Sequence, residues 1–182
     1  MTEKQKYAID TIISKLPSDM QYTYRDISEY ALFLGYKPAL KGAQQQYVIF
    51  NKSFLNKTNR TILKIVANTK RDPVYAMEIR FFANSPPYPL KFQQAIKAYD
   101  KAGWMADCSN CEHCKQAQVY YVPSNDGFRK AAGCISLIHM RTLSEDDVPY
   151  IKKTFKNVDD FYMEFLTDPE RRNKDYYSGK SE

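Results

Sequence analysis

The cysteines are the residues whose type and spacing most directly name a chemistry. Cys108-Ser-Asn-Cys111-Glu-His-Cys114 is a C-x2-C-x2-C run, and Cys134 follows with nineteen residues between. A C-x2-C knuckle turns two thiolates towards one tetrahedral centre, the arrangement zinc takes in structural sites. Four sulfurs close such a site and leave no position for water. The expected Zn2+ is therefore structural, with its binding energy appearing as folding energy. His113 offers a replacement ligand, and equally reads as an exposed side chain beside the knuckle. An iron–sulfur cluster also takes four thiolates, and the opening of the run is like that of a ferredoxin, although nothing else in the chain suggests electron transfer. A redox pair needs only one C-x2-C, but the βαβ pattern that usually carries one is missing. Four free thiols are the plain alternative. Zinc is the preferred reading of Cys108, Cys111, Cys114 and Cys134.

Other chemistry is sparse. There are two histidines, and neither stands in a triad or metalloprotease pattern. His139 reads as a core-edge side chain. The GxSxG elbow, the kinase motifs, GxGxxG and the P-loop are absent. Glu145-Asp146-Asp147 and Asp159-Asp160 read as charges that complement helix starts. Basic residues fall in three groups: Lys52, Lys57 and Arg60; Lys64, Lys70, Arg71 and Arg80; and Lys152, Lys153 and Lys156. With a net charge of +6 and 15 tyrosines they would suit single-stranded nucleic acid, held by phosphate contact and stacking. A solvated basic surface explains the same residues. Tyr75, Met77, Ile79 and Phe81 would line a ligand cleft or simply fill a core strand.

The elements that must position these groups follow from periodicity. Apolar residues make up 43% and charged residues 26% of 182 residues, the composition of a globular chain. A single α+β domain over 1–167 is expected, with a metal hairpin subregion at 104–141 and a polar, fraying tail at 168–182. The first ten residues lack the apolar run of a secretory signal, and no window is apolar enough for a membrane span, so a cytosolic setting is expected. Clustered cysteines there lean towards metal.

Residues 3–16 read as a helix capped by Thr2, with Tyr7, Ile12, Ile13 and Leu16 as its apolar face. A second helix is expected to start after Thr23, in a near capping box Thr23-Tyr-Arg-Asp26. It carries Ile27, Tyr30, Ala31 and Leu34 at helical spacing and ends at Gly35. The six or so residues between these helices are long for a DNA-reading helix-turn-helix. Strands are expected at 46–51, 61–68 and 74–83. In the second of these Leu63, Ile65 and Ala67 oppose Lys64, and in the third Glu78 and Arg80 oppose the apolar set. Leu90–Ala102 reads as a helix burying Phe92, Ala95, Ile96 and Tyr99. Two strands, 119–122 and 128–140, follow around an Asn125-Asp126-Gly127 turn. Ser144 to Asp147 starts a last helical region with Pro149 in its first turn, and 158–166 reads as a separate helical piece.

This order predicts an α+β fold, an antiparallel sheet covered by helices, with a zinc-stapled β-hairpin. The hairpin supplies the missing geometry. A turn at Asn125-Asp126-Gly127 sets Cys134 across from about Ala117, within a few residues of Cys114, so the distant fourth sulfur returns to the first three.

The run from Arg80-Phe81-Phe82-Ala83 through the Leu90–Ala102 helix, the cysteine cluster, Tyr120-Tyr121 and Gly133-Cys134 resembles small uncharacterised proteins of Gram-positive anaerobes with a cysteine cluster before a hairpin. The resemblance spans roughly the second half of the chain. It implies a shared metal role for the four cysteines and no activity.

The functional expectation is a non-catalytic binding or regulatory domain of bacterial type, with an unknown ligand and no membrane contact. The alternatives are a nucleic-acid-binding protein using basic loops and tyrosines, and an enzyme whose pocket forms only in three dimensions.

Overall fold

The structure is a computed structural model that describes residues 1–54, 59–67, 75–79, 89–101, 119–124, 127–132, 137–140 and 143–167. The chain runs α1 (Glu3–Ile13), α2 (Ser18–Phe33), β1 (Lys37–Lys41), β2 (Tyr47–Ser53), β3 (Asn59–Ala67) and β4 (Tyr75–Ile79). It continues with α3 (Leu90–Lys101), β5 (Val119–Ser124), β6 (Gly127–Ala132), β7 (Ile138–Met140), a 3-10 turn (Glu145–Asp147) and α4 (Val148–Thr167). The expected α+β class is observed: one five-stranded sheet in the order β1-β2-β3-β4-β7, antiparallel throughout, and a separate two-stranded hairpin, β5-β6.

The alternation of β2, β3 and β4 builds the core row by row. Val48, Ile65, Met77 and Met140 lie opposite one another across four strands, and Phe50, Leu63, Ile79 and Ile138 form the next such row. All eight are buried. A bulge beside Phe50 and Asn51 leaves Ile62 without a partner on β2, and Ile62 and Leu63 are both buried there. The helices complete the core: Ala8, Ile9, Ile12 and Ile13 from α1, Ile27 and Ala31 from α2, Phe92 and Ile96 from α3, and Ile151, Phe155, Val158 and Tyr162 from α4. Helix α1 lies against β1, β2 and β3, α2 against α1 and α4, and α3 against β7 and β5.

Several helix ends follow the local signals. Thr2 and Gln5 form a full capping box, with Gln5 N–H donating to Thr2 Oγ1 and Thr2 N–H to Gln5 Oε1. Helix α2 closes in a Schellman arrangement: Tyr36 N–H reaches Ala31 O at 3.0 Å and Gly35 N–H reaches Leu32 O at 2.8 Å, with Gly35 at φ +88°. Ser144 and Asp147 cap the 3-10 turn that leads into α4, whose second residue is Pro149.

Other expectations are corrected. Helix α1 stops at Ile13, Leu16 is buried in the turn beyond it, and Tyr7 is exposed. Helix α2 begins at Ser18 after Pro17, not after Thr23, because Met20, Thr23, Tyr24 and Ile27 already form a buried helical stripe. The link between α1 and α2 is correspondingly shorter than expected. Lys37–Lys41, unassigned in the sequence despite its length, is an edge strand. There the missing N–H of Pro38 is tolerated and the flanking lysines blunt the edge. The expected strand 128–140 is two: β6 pairs with β5, whereas β7 pairs with β4 in the main sheet. Residues 158–166 belong to the single helix α4. No helix among the described residues is long and apolar enough to cross a membrane.

Candidate functional site

Between the two apolar rows of the sheet runs a third row on the opposite face: Ile49, Lys64, Glu78 and His139. Strict alternation forces this placement, since Lys64 separates Leu63 from Ile65 and Glu78 separates Met77 from Ile79. The carboxylate stands at the centre. Lys64 Nζ donates to both Glu78 oxygens at 3.0 Å, and His139 Nε2 lies 2.7 Å from Glu78 Oε1. Lys64 Nζ also sits 4.8 Å from the Tyr47 ring centroid, a cation–π distance.

Glu78 is only 15% exposed and His139 47% exposed. Burial opposes ionisation of Glu78, but hydrogen bonds from His139 and Lys64 and the charge of Lys64 outweigh it and hold the carboxyl below its ordinary range. An ionised carboxylate only accepts, so the imidazole must donate from Nε2. In its neutral form it then presents Nδ1 as an acceptor. The row can thus orient a histidine through the same carboxylate that holds the Lys64 ammonium.

A second lysine–carboxylate cluster lies on the helix side. Lys52 Nζ donates to Asp159 Oδ1 at 2.8 Å and Oδ2 at 3.0 Å, and to Leu34 O at 2.8 Å. The rings of Tyr36 and Phe54 lie 5.5 and 5.4 Å from the same nitrogen. The cation caps the C-terminus of α2, where the helix dipole favours it, and ties that end to α4 and β2.

Cys108, Cys111, Cys114, Cys134 and His113 lie outside the described residues, as do Lys57, Lys70, Arg71 and Arg80. The arms of the expected hairpin are described. Val119 pairs with Ala132 and Ser124 with Gly127, the register that the sequence reading required. Met77 and Ile79 fill the core rows rather than a cleft. The remaining basic residues are mostly engaged: Lys64 with Glu78, Lys52 with Asp159, Lys152 with Asp26 and Lys156 with Asp160. Arg60 lies 5.7 Å from the Tyr162 ring, and Lys153 is exposed. Glu145 and Asp146 are exposed beside Asp147, which accepts from Lys91 and Ser144.

Sequence reasoning missed the charged row. It placed Lys64 and Glu78 on the face away from the apolar residues, which is where they are, but it put His139 in the hairpin. Only the pairing of β7 with β4 brings that side chain to Glu78. No protein-family model, no curated protein and no solved structure matches the chain.

Proposed function

We propose that the chain is a non-catalytic binding or regulatory domain whose hairpin is held by one structural zinc ion on Cys108, Cys111, Cys114 and Cys134. The observation that carries this reading is the β5–β6 register. Val119 lies opposite Ala132, and in the sequence Cys114 precedes Val119 by five positions while Cys134 follows Ala132 by two. A hairpin of that register supports a return of the fourth sulfur towards the C-x2-C-x2-C run. Four thiolates suit zinc chemically and leave it closed to substrate, so the metal would hold the fold and leave binding to another surface.

Two parts of the molecule favour a framework role for its charges. Lys52 and Asp159 join β2 to α2 and α4, and Lys91 and Asp147 join α3 to the start of α4. Those cations are committed to carboxylates, which leaves them little counter-ion release to contribute on nucleic acid.

Elemental analysis of purified protein should find one zinc per chain. Cys134→Ser should lower the melting temperature as strongly as a chelator does, and should abolish the chelator's further effect. A metal-free protein with an unchanged melting curve in chelator would overturn the reading.

A further inference from the structure

Basic residues are unevenly placed along the chain. Residues 30–71 contain eight lysines and arginines and no aspartate or glutamate, although the whole chain has 21 acids. That stretch supplies β1, β2 and β3. Its charge therefore collects on three adjacent strands, and the acids that pair with Lys52 and Lys64 come from elsewhere in the chain.

The strand register shows which face receives the charge. The buried helix residues form one cluster with Val48, Phe50, Leu63 and Ile65. The residues between these on each strand belong to the other face. There Lys41 lies opposite Tyr47 and Tyr47 opposite Val66, while Lys37 lies opposite Asn51 and Asn51 opposite Thr61. The row of Ile49 and Lys64 runs between them. Lys37 and Lys41 are exposed, and they stand about 13 Å apart along the edge strand. Neither meets a carboxylate among the described residues, in contrast to Lys52, Lys91 and Lys152. The acid described on this face is Glu78, three strands from β1 and already held by Lys64.

The other groups on the face select among polyanions. The half-buried Tyr47 ring lies 4.8 Å from Lys64 Nζ, and Lys41 is its cross-strand neighbour. Asn51 Oδ1 accepts from Thr61, which leaves the Asn51 NH2 to donate. A stacking ring, an amide donor and lysines without carboxylates on one flat surface suit a single strand of nucleic acid, whose bases and phosphates are both within reach. A duplex calls for an element that enters its groove, which a flat sheet face does not. A bilayer surface takes an apolar wedge, whereas the exposed turn beside Lys41 carries Gln44, Gln45 and Gln46.

We infer that the face of β1, β2 and β3 carrying Lys37, Lys41, Tyr47 and Asn51 binds single-stranded nucleic acid. The inference rests on the reading of the chain as a binding domain, whose ligand class it names, and it is independent of the metal. The test uses the full chain and a labelled single strand of about 12 nucleotides, once as RNA and once as DNA. Fluorescence anisotropy should show at least one of the two binding, with an affinity that falls steeply as salt rises. Lys37→Glu with Lys41→Glu should weaken it at least about tenfold and flatten the salt dependence, with the melting temperature retained. Tyr47→Leu should weaken it about fivefold or more and leave the salt dependence unchanged, because stacking releases no ions. Lys153→Glu, exposed on α4, should leave binding as it is. No binding of either strand at low salt, or indifference to the lysine pair or to Tyr47→Leu, would overturn the inference. So would displacement of the label by a duplex, by polyglutamate or by phosphatidylserine vesicles as readily as by unlabelled single strand. Zinc counted on the same samples separates the two claims. Metal without nucleic-acid binding removes this inference only, and nucleic-acid binding without metal removes the zinc reading only.

Discussion

The two faces of the sheet each carry a lysine held by a carboxylate, and the chemistry is the same while the surroundings differ. On the helix side Asp159 is 9% and Lys52 19% exposed, with aromatic rings and a helix-end carbonyl completing the enclosure. On the other face Glu78 also takes a lysine, but its second hydrogen-bond partner is His139, half open to solvent. Enclosure decides what such a pair is for. A charge pair among packed groups is costly to separate and so locks elements together, whereas one that keeps a solvent-facing member can exchange partners at little cost.

That contrast can be broken most directly at Asp159. Asp159→Asn removes the countercharge and leaves the enclosed Lys52 ammonium with neutral carbonyl oxygens alone, and should cost about 3 kcal/mol by urea unfolding. Replacing both partners together, Lys52→Met with Asp159→Leu, should restore most of that loss, because no charge is then left unpaired. Glu78→Gln should cost less, about 1 kcal/mol, since Lys64 can turn to water. A loss at Glu78 as large as that at Asp159 would erase the distinction between the faces.

The pH dependence sharpens it. The folded Glu78 carboxyl is held below its ordinary value of 4.5, so its contribution is complete above that value and is lost as pH falls through the lower folded value. Asp147 behaves with the same sign: burial opposes its charge, and hydrogen bonds from Lys91 and Ser144 prevail. Glu78→Gln should therefore flatten the acid limb of the stability curve, with the residual slope belonging to groups such as Asp147. An unchanged acid limb would show that Glu78 titrates as it does when unfolded. The smallest effect is expected at His139. His139→Gln should change stability by no more than about 0.5 kcal/mol, read from the same unfolding curves, because an exposed pair contributes little.

Legibility in the sequence tracked distance along the chain. Thr2 with Gln5, the glycine after α2, Ser144 with Asp147 and the turn before Gly127 are contacts between near neighbours, and residue types reveal them. The start of α2 was misread because Thr23 looks like a cap. Its burial beside Met20 and Tyr24 overrides that preference, and the stripe beginning at Met20 was the available signal. Pro38 concealed β1, since proline argues against a strand unless that strand is known to be an edge. The split between β6 and β7 was hidden for a related reason: a run of apolar residues does not say which sheet it joins.

The sequence by itself determined the class of the fold, the alternation that separates core from charge in β3 and β4, and the hairpin register about its turn. These depend on side-chain period and on local backbone preference. Tertiary structure decided the rest. Glu78 meets His139 across 61 positions and Lys52 meets Asp159 across 107, and no local preference encodes either meeting. Each exists because strand order and helix packing bring together residues that the chain keeps apart. The exposure of Tyr22 and Phe33 on α2 is of the same kind, since only the packed core shows which face of an aromatic-rich helix stays open.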